Sequence, residues 1–443
     1  MTDDDTAAGV GIAIVGGGIG GLATALALHA RGIGCTVFEA VDQVRPLGVG
    51  INLLPHSVRV LAALGLQPAI AQAAVQTAEL AYYNKHGQKI WSEPRGLAAG
   101  YAFPQFSIHR GRLQMILFEA ASARLPAGAI RTAHVLQRFE DRGDHVLLHF
   151  ADRSGAPRPP VRAQALIGAD GIHSVVRRTF FPDEGPARFS GRMLWRATTR
   201  ARPFLTARSM IQAGHQDQKF VCYPIEREPD AQGLQTLNWI AELTVPAGTT
   251  PAREQWNAQV DKTVFREPFA GWRFDWLDVP GLIDGAQAIY EFPMVDRDPL
   301  ARWTHGRVTL LGDAAHPMYP IGSNGASQAI LDAEAMADAM AASAGQSPAG
   351  AGADAGARAA GRPGAVADPR AAFAAYEAAR REATGAIVLS NRRNGPDQVM
   401  QIAEERAPNG FRHVHDVIPQ AELEAISARY KQLAGFSHAQ VNR

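Results

Sequence analysis

A chain of 443 residues with 46% hydrophobic content can bury a large core, as two domains or one elaborated one. Its 44 Lys+Arg against 43 Asp+Glu leave a formal charge of +1, which argues against nucleic acid or an anionic membrane surface as the main partner. Two cysteines exclude a disulfide scaffold, no Cys/His cluster has metal-ligand spacing, and no apolar run is long enough to span a bilayer. The acidic start, Met1 to Asp5, lacks the basic and apolar parts of a signal peptide, so the expected location is cytoplasmic.

The first element is a strand, Ile12–Val15, that meets a glycine cluster and then an Ala/Leu-rich helix from Leu22 to Ala30. Gly16, Gly18 and Gly21 fit G-x-G-x-x-G: the first for the tight turn, the second for close approach to a pyrophosphate, the third for helix packing on the strand. Ile19 and Gly20 open the helix, whose free N–H groups and partial positive charge suit phosphate. A second strand, Cys35–Phe38, ends at Glu39-Ala40, about 20 residues on, where a carboxylate accepts from ribose hydroxyls. An acidic residue there favours FAD or NAD over NADP as the tightly held nucleotide. In the next loop Gly48 and Gly50 let the backbone lie against something flat, Arg45 is within reach of phosphate or substrate, and Pro55 opens a helix.

Thr77–Asn84 and Gln88–Trp91 read as strands around a turn, and Ser107–Arg112 leads into a helix with Leu113, Ile116, Leu117 and Ala120 on one face. Strands follow at Val135–Phe139, His145–Phe150 and Val161–Gly168, the last ending in the turn Gly168-Ala169-Asp170-Gly171 before a helix with Ser174 at its start. From Ser190 to Phe292 strand-like runs (Met193–Thr199, Phe220–Ile225, Leu237–Leu243) alternate with polar loops and no βαβ rhythm, which predicts an antiparallel sheet. The first texture returns with Val308–Asp313. The run Gly312–Pro320 and then Gly322–Ala326 make a glycine-rich entry to a helix, Ser323–Met340. Ala341–Ala367 reads as a flexible Ala/Gly/Pro-rich insertion, Pro369–Arg393 as a long helix, and the tail as carrying one helix near Pro419–Leu433.

In this order the three glycine motifs resemble those of the FAD-dependent aromatic hydroxylases of the p-hydroxybenzoate hydroxylase type (class A flavin monooxygenases), from about residue 10 to 395. Within that family the runs Arg45–Asn52, Trp91–Gly96, Ser107–Gly111, Pro293–Pro299 and Ser323–Asp332 are most similar to the phenazine-carboxylate hydroxylases that form pyocyanin. The resemblance implies an α/β fold: a Rossmann-like FAD-binding domain with an antiparallel-sheet substrate domain and C-terminal helices. Residues 1–76, 107–189 and 295–340 then belong to the FAD-binding domain and 77–106 and 190–294 to the substrate domain. The insertion (341–368), long helix (369–395) and tail (396–443) follow.

Roles follow from the resemblance. Gly16, Gly18 and Gly21 would bind the FAD diphosphate, Glu39 and Ala40 the adenosine ribose, and Arg110 the cofactor from the start of its helix, with Arg45 and Gly50 close by. Asp170 and Gly171 form the motif associated with FAD and NAD(P)H, and Asp313 would hold the ribityl chain. Pro317 through Gly325, including Gly322 and Asn324, would lie beside the isoalloxazine together with Ala326. Either NADH or NADPH would reduce the flavin, O2 would add to it as a hydroperoxide, and one oxygen would pass to a small aromatic substrate. Trp195, Lys219, Tyr223 and Trp239 are the substrate candidates, with Tyr82 and His56 behind them. Strand alternation puts Lys219, Val221 and Tyr223 on one face, the aromatics suit a planar ring, and Lys219 or Arg196 suits a carboxylate. Two alternatives remain at this point: an FAD oxidoreductase that inserts no oxygen, and a non-catalytic binder of planar ligands, in either case a monomer or homodimer. Asp313 and His316 have no G-x-S-x-G serine beside them, which argues against nucleophilic hydrolysis.

Overall fold

The computed structural model describes residues 7–249, 251, 258–345 and 368–442. β1 (Ala8–Val15) enters the glycine turn, and α1 (Ile19–Ala30) returns to β2 (Cys35–Phe38). α1 is apolar on every side and buried from Gly21 to Leu28, so it is a helix enclosed by the fold rather than a surface one. Further on come α2 (Arg110–Arg124) and β3 (Val161–Gly168). Next are the long strands β4 (Arg188–Ala201), β5 (Ser209–His215), β6 (Gln218–Pro224), β7 (Gln235–Thr244) and β8 (Ile289–Asp296). The chain then returns through β9 (Val308–Leu310) to α3 (Gly325–Ser343) and α4 (Pro369–Asn391), and ends in α5 (Gln398–Arg406), α6 (Gln420–Leu433) and α7 (His438–Val441).

Two sheets result. In the first, β1 lies between β2 and β3, all parallel, and β9 adds parallel to β3. The glycine turn, the Asp170 turn and the Gly312 turn therefore all leave the same edge of this sheet, at the carboxyl ends of β1, β3 and β9. That crevice is where open α/β sheets bind ligands. The second sheet has eight strands, with β8, β4, β7, β6 and β5 as neighbours in antiparallel pairs. Glu79–Tyr83 joins it parallel to β5, the one departure from antiparallel order among these pairs.

Both faces of the second sheet are covered, and its cross-strand register sorts the side chains. Met193, Trp195, Phe220, Trp239 and Ala241 face one apolar core with Phe265 and Phe269. Leu194, Val221, Tyr223 and Ile240 face the other way. Trp195 stacks on Phe265 with ring centroids 4.7 Å apart and donates from Nε1 to Glu291 Oε2 at 2.8 Å. Trp239 is fully buried and donates to Thr199 Oγ1 at 2.9 Å.

Residues 346–367 of the expected insertion lie outside the described residues, and Ala341–Ser343 complete α3. The tail carries α5 and α7 in addition to the expected helix. No helix among the described residues is long and apolar enough to cross a membrane.

Gly21 is where the first layer is tightest: a Cβ on it would sit 1.9 Å from the Gly16 carbonyl oxygen. Ala is the better helix former, but that advantage of about 1 kcal/mol is smaller than the cost of parting α1 from the turn. Gly21→Ala is expected to destabilise the apoprotein by about 3 kcal/mol or more, read as a lower urea midpoint; an unchanged midpoint would refute this packing.

Candidate cofactor and substrate site

A cavity of about 340 Å³ lies between the two sheets. Gly18, Ile19 and Gly20 at the N-terminus of α1, and Gly325 and Ala326 at the N-terminus of α3, converge on it. Two helices thus aim unpaired N–H groups and partial positive charge into one space. Gly16 and Gly21 are demanded by the protein itself, since a Cβ on Gly16 would meet the Ala169 carbonyl oxygen at 2.3 Å. Gly18 is different: a Cβ there would meet nothing within 4 Å, nor would one on Gly171 or Gly325, all three at the cavity wall. Bare backbone facing open space is what a closely held dinucleotide needs.

Arg110 and Asp313 add the charges. Arg110 borders the cavity from the start of α2, with its stem against Gly48. Asp313 projects into the cavity, and no protein group among the described residues donates to its carboxylate. Enclosure by the walls raises its pKa above the usual carboxylate value, eased by His316 and Arg110. A carboxylate open to the cavity, with no protein donor among the described residues, fits a ligand bearing hydroxyls. The Asp313 turn is itself held from behind by Asp332, which is fully buried. Asp332 accepts from Gly312 N–H at 3.1 Å, His316 Nε2 at 2.6 Å and Arg380 Nε at 2.8 Å. Burial would raise its pKa, but His316 and Arg380 outweigh that and hold it at about 2.

The second sheet closes the far end. Lys219, Val221 and Tyr223 do share the cavity face, and across from them stand Ile240 and Glu242, with Arg196 beside. Lys219 is buried with Nζ 2.8 Å from Asp397 Oδ2 and 3.1 Å from Glu242 Oε2. Burial disfavours its charge, yet the two carboxylates win and its pKa is raised. Arg196 donates to the Gly50 carbonyl at 3.1 Å, while its buried Nε has no acceptor in the protein. Burial lowers its pKa, though a guanidinium stays charged. Gly50 is the seam: its N–H donates to Asn238 Oδ1 at 2.6 Å, and a Cβ there would strike Asn238 and Tyr223 at 2.7 and 2.8 Å.

Several expected site residues stand elsewhere. Trp195 and Trp239 are corrected: strand parity places them in the opposite core, so neither reaches the cavity. Asp170 caps the helix after its turn, accepting from Ser174 Oγ at 2.6 Å and Val175 N–H at 2.7 Å, while Ala169 and Gly171 on either side line the cavity. Glu39 turns toward the glycine loop and accepts from Gly17 N–H at 2.6 Å and Val41 N–H at 3.0 Å, with Ala40 exposed beside it. Arg45 is exposed and paired with Gln43, and Pro317 is buried behind the loop. His56 is buried away from the cavity against Phe436, and burial pushes its pKa down to about 3. Tyr82 is buried beneath the tail. Glu242 and Asp397 went unseen in the sequence. The pairing of Glu242 with Lys219 is set by register between β6 and β7, and Asp397 arrives from the tail.

The FAD-binding domain family model matches residues 9–351. The chain belongs to this FAD-binding family. Among curated relatives it is similar to the phenazine 1,6-dicarboxylic acid hydroxylase PhzS of Lysobacter antibioticus, 40% identical over 441 residues, covering 98% of this chain and 100% of that one. That match includes the tail, which the sequence reading had placed outside the resemblance. It is also similar to the 6-hydroxynicotinate 3-monooxygenase of Pseudomonas fluorescens, 30% identical over 335 residues, 74% of this chain and 81% of the other. A salicylate hydroxylase substrate complex shares the fold with a TM-score of 0.70 at 20% identity, over 99% of this chain and 98% of that one. The Klebsiella pneumoniae HpxO complexed with FAD and uric acid does so with a TM-score of 0.66 at 21% identity, over 96% and 92%. Membership of the family and the character of these relatives make the chain an FAD-dependent, NAD(P)H-using monooxygenase of aromatic substrates.

Two outcomes test the site. Gly18→Ala keeps an allowed backbone and is expected to change apoprotein stability by no more than about 1 kcal/mol while FAD retention collapses; retained flavin would refute the cradle. Asp332→Asn removes a buried charge that three groups share, with an expected cost of about 3 kcal/mol at pH 7. The part due to ionisation, about 2 kcal/mol for a drop from 3.8 to about 2, is fully present above pH 4 and lost as pH falls through 2. Urea midpoints of the two proteins are therefore expected to converge between pH 4 and 2, and a constant gap would show that Asp332 carries no such linkage.

Proposed function

We propose that the aromatic substrate is a planar heteroaromatic carboxylate of the phenazine-carboxylate class, anchored by Arg196. The observation that carries this reading is the half-buried Arg196 guanidinium at the cavity wall, whose Nε has no acceptor in the protein. Lys219, the other expected anchor, already spends its charge on Asp397 and Glu242. Met210, Val221 and Ile240 give this end of the cavity flat apolar contact for a fused ring, and the similarity to a phenazine dicarboxylate hydroxylase supports the same class.

The overall reaction balances as aryl C–H, O2, NAD(P)H and a proton giving aryl C–OH, water and NAD(P)⁺. The electron transfer and oxygen activation are supplied by FAD when bound. The chain's own part is placement. Gly18, Arg110, Asp313 and the N-terminus of α3 would hold the cofactor, Arg196 would orient the ring by its carboxylate, and the two sheets keep water out. Residues 77–106 and 190–294 make up the substrate domain in this reading. The enzyme is placed in the cytoplasm, as a monomer or homodimer, and its two free thiols, Cys35 and Cys222, support that setting.

NAD(P)H consumption is expected to rise on adding phenazine-1-carboxylate, with hydroxylated product formed in step. Arg196→Gln is expected to raise KM for that acid about 10- to 100-fold, the loss of one charge-assisted contact, and to leave KM for the ring without its carboxylate unchanged. No stimulation by the acid, or an equal loss on both compounds, would overturn the substrate class or the anchor respectively.

A further inference from the structure

The family match ends at residue 351, yet part of the cavity wall is braced by residues beyond it. The loop that brings the chain into α3 contains Gly322 with φ +68° and Ser323 with φ +60°, two consecutive left-handed residues, one of them not glycine. Glycine adopts this backbone freely, whereas Ser323 keeps it only where its surroundings hold it. Here the holding group is Tyr430, on α6. Its buried hydroxyl accepts from Asn324 Nδ2 at 2.8 Å and donates to Asn391 Oδ1 at 2.9 Å. Asn391 in turn donates to the carbonyls of Tyr319 and Ile321 at 3.3 and 3.1 Å. Gly322 packs so closely that a Cβ on it would lie 2.0 Å from the tyrosine oxygen. Burial keeps the phenol neutral, and so able to donate, at any working pH. Gly322, Ser323, Asn324 and Gly325 all border the cavity.

We infer that Tyr430 is a positioning residue for the cofactor: its hydroxyl fixes the strained Gly322–Asn324 loop, and with it the N-terminus of α3, in the conformation that receives FAD. The C-terminal helices are then a working part of the flavin cradle. This inference rests on the cofactor site and is independent of which aromatic acid is the substrate.

The test compares Tyr430→Phe with Tyr101→Phe. The second variant also removes a tyrosine hydroxyl that ties the tail down, through a 2.7 Å bond from Tyr101 to the Phe436 carbonyl, but that hydroxyl bonds no residue of the loop. Apoprotein is prepared from each and titrated with FAD by quenching of flavin fluorescence, with visible circular dichroism of the bound flavin as second readout. Tyr430→Phe is expected to raise the FAD dissociation constant 5- to 50-fold and alter the dichroism band, while Tyr101→Phe leaves both as in the parent. Equal loss in the two variants would mean that the tail only needs to be docked, and no loss in Tyr430→Phe would mean that the loop holds itself; either overturns the inference. Should Tyr430→Phe not fold, Tyr430→Met, which fills the space without a hydroxyl, is titrated against the same two criteria.

Discussion

The lack of a side chain at residue 50 is the constraint on which the site depends. Between the two large sheets, whose strand orders and cores differ, a small three-stranded sheet presents Gly50 to the second sheet, where bare backbone lies against Asn238 and Tyr223. The contact is polar as well as close. The Gly50 N–H finds Asn238 and its carbonyl takes Arg196, so both backbone groups are satisfied by the opposite sheet. A Cβ at this position would lie 2.7 Å from the Asn238 side chain and 2.8 Å from Tyr223, so any larger residue would force the wall of the cavity to shift.

Around the seam the protein tolerates buried charge in two contrasting ways. Asp332 is saturated: Gly312, His316 and Arg380 take up its oxygens, and the result is a rigid turn. Asp313, open to the cavity, and Arg196 Nε at its wall have no protein partner among the described residues. Saturated charges build the scaffold, and unsaturated ones are aimed at what the scaffold receives. A ligand that pairs the second group stabilises the folded protein by mass action, which ties the order of the site to its occupancy.

The first sheet was legible because its motifs carry their own geometry. A strand, a glycine turn and a helix can be read locally, and the turn at Gly16, the Asp170 turn and the Gly312 turn each announced a strand end. Asp170 shows the limit of such reading, since the same residue type at the same turn serves as a helix cap. The second sheet was harder. Its strands are buried on both faces, so alternation tells which residues share a face without telling which face is the cavity. Lys219, Val221 and Tyr223 were grouped correctly, whereas Trp195 and Trp239 were drawn to the substrate by their chemistry and belong to the other core. Asp397 and Tyr430 had no local signal at all. They act by long-range contact, across 178 residues for Asp397 with Lys219 and 106 for Tyr430 with Asn324.

Those long separations have a consequence for how the protein is made. A chain emerging N-terminus first presents Gly18 before Asp313, and Asp313 before Tyr430. The cavity gains that brace only after Tyr430 has emerged, so a chain that stops short of it can hold the first sheet and still lack a finished receptacle. With Tyr430 in the inferred role, tight cofactor loading waits for α6, and the flavin, when taken up, reports that this helix has docked.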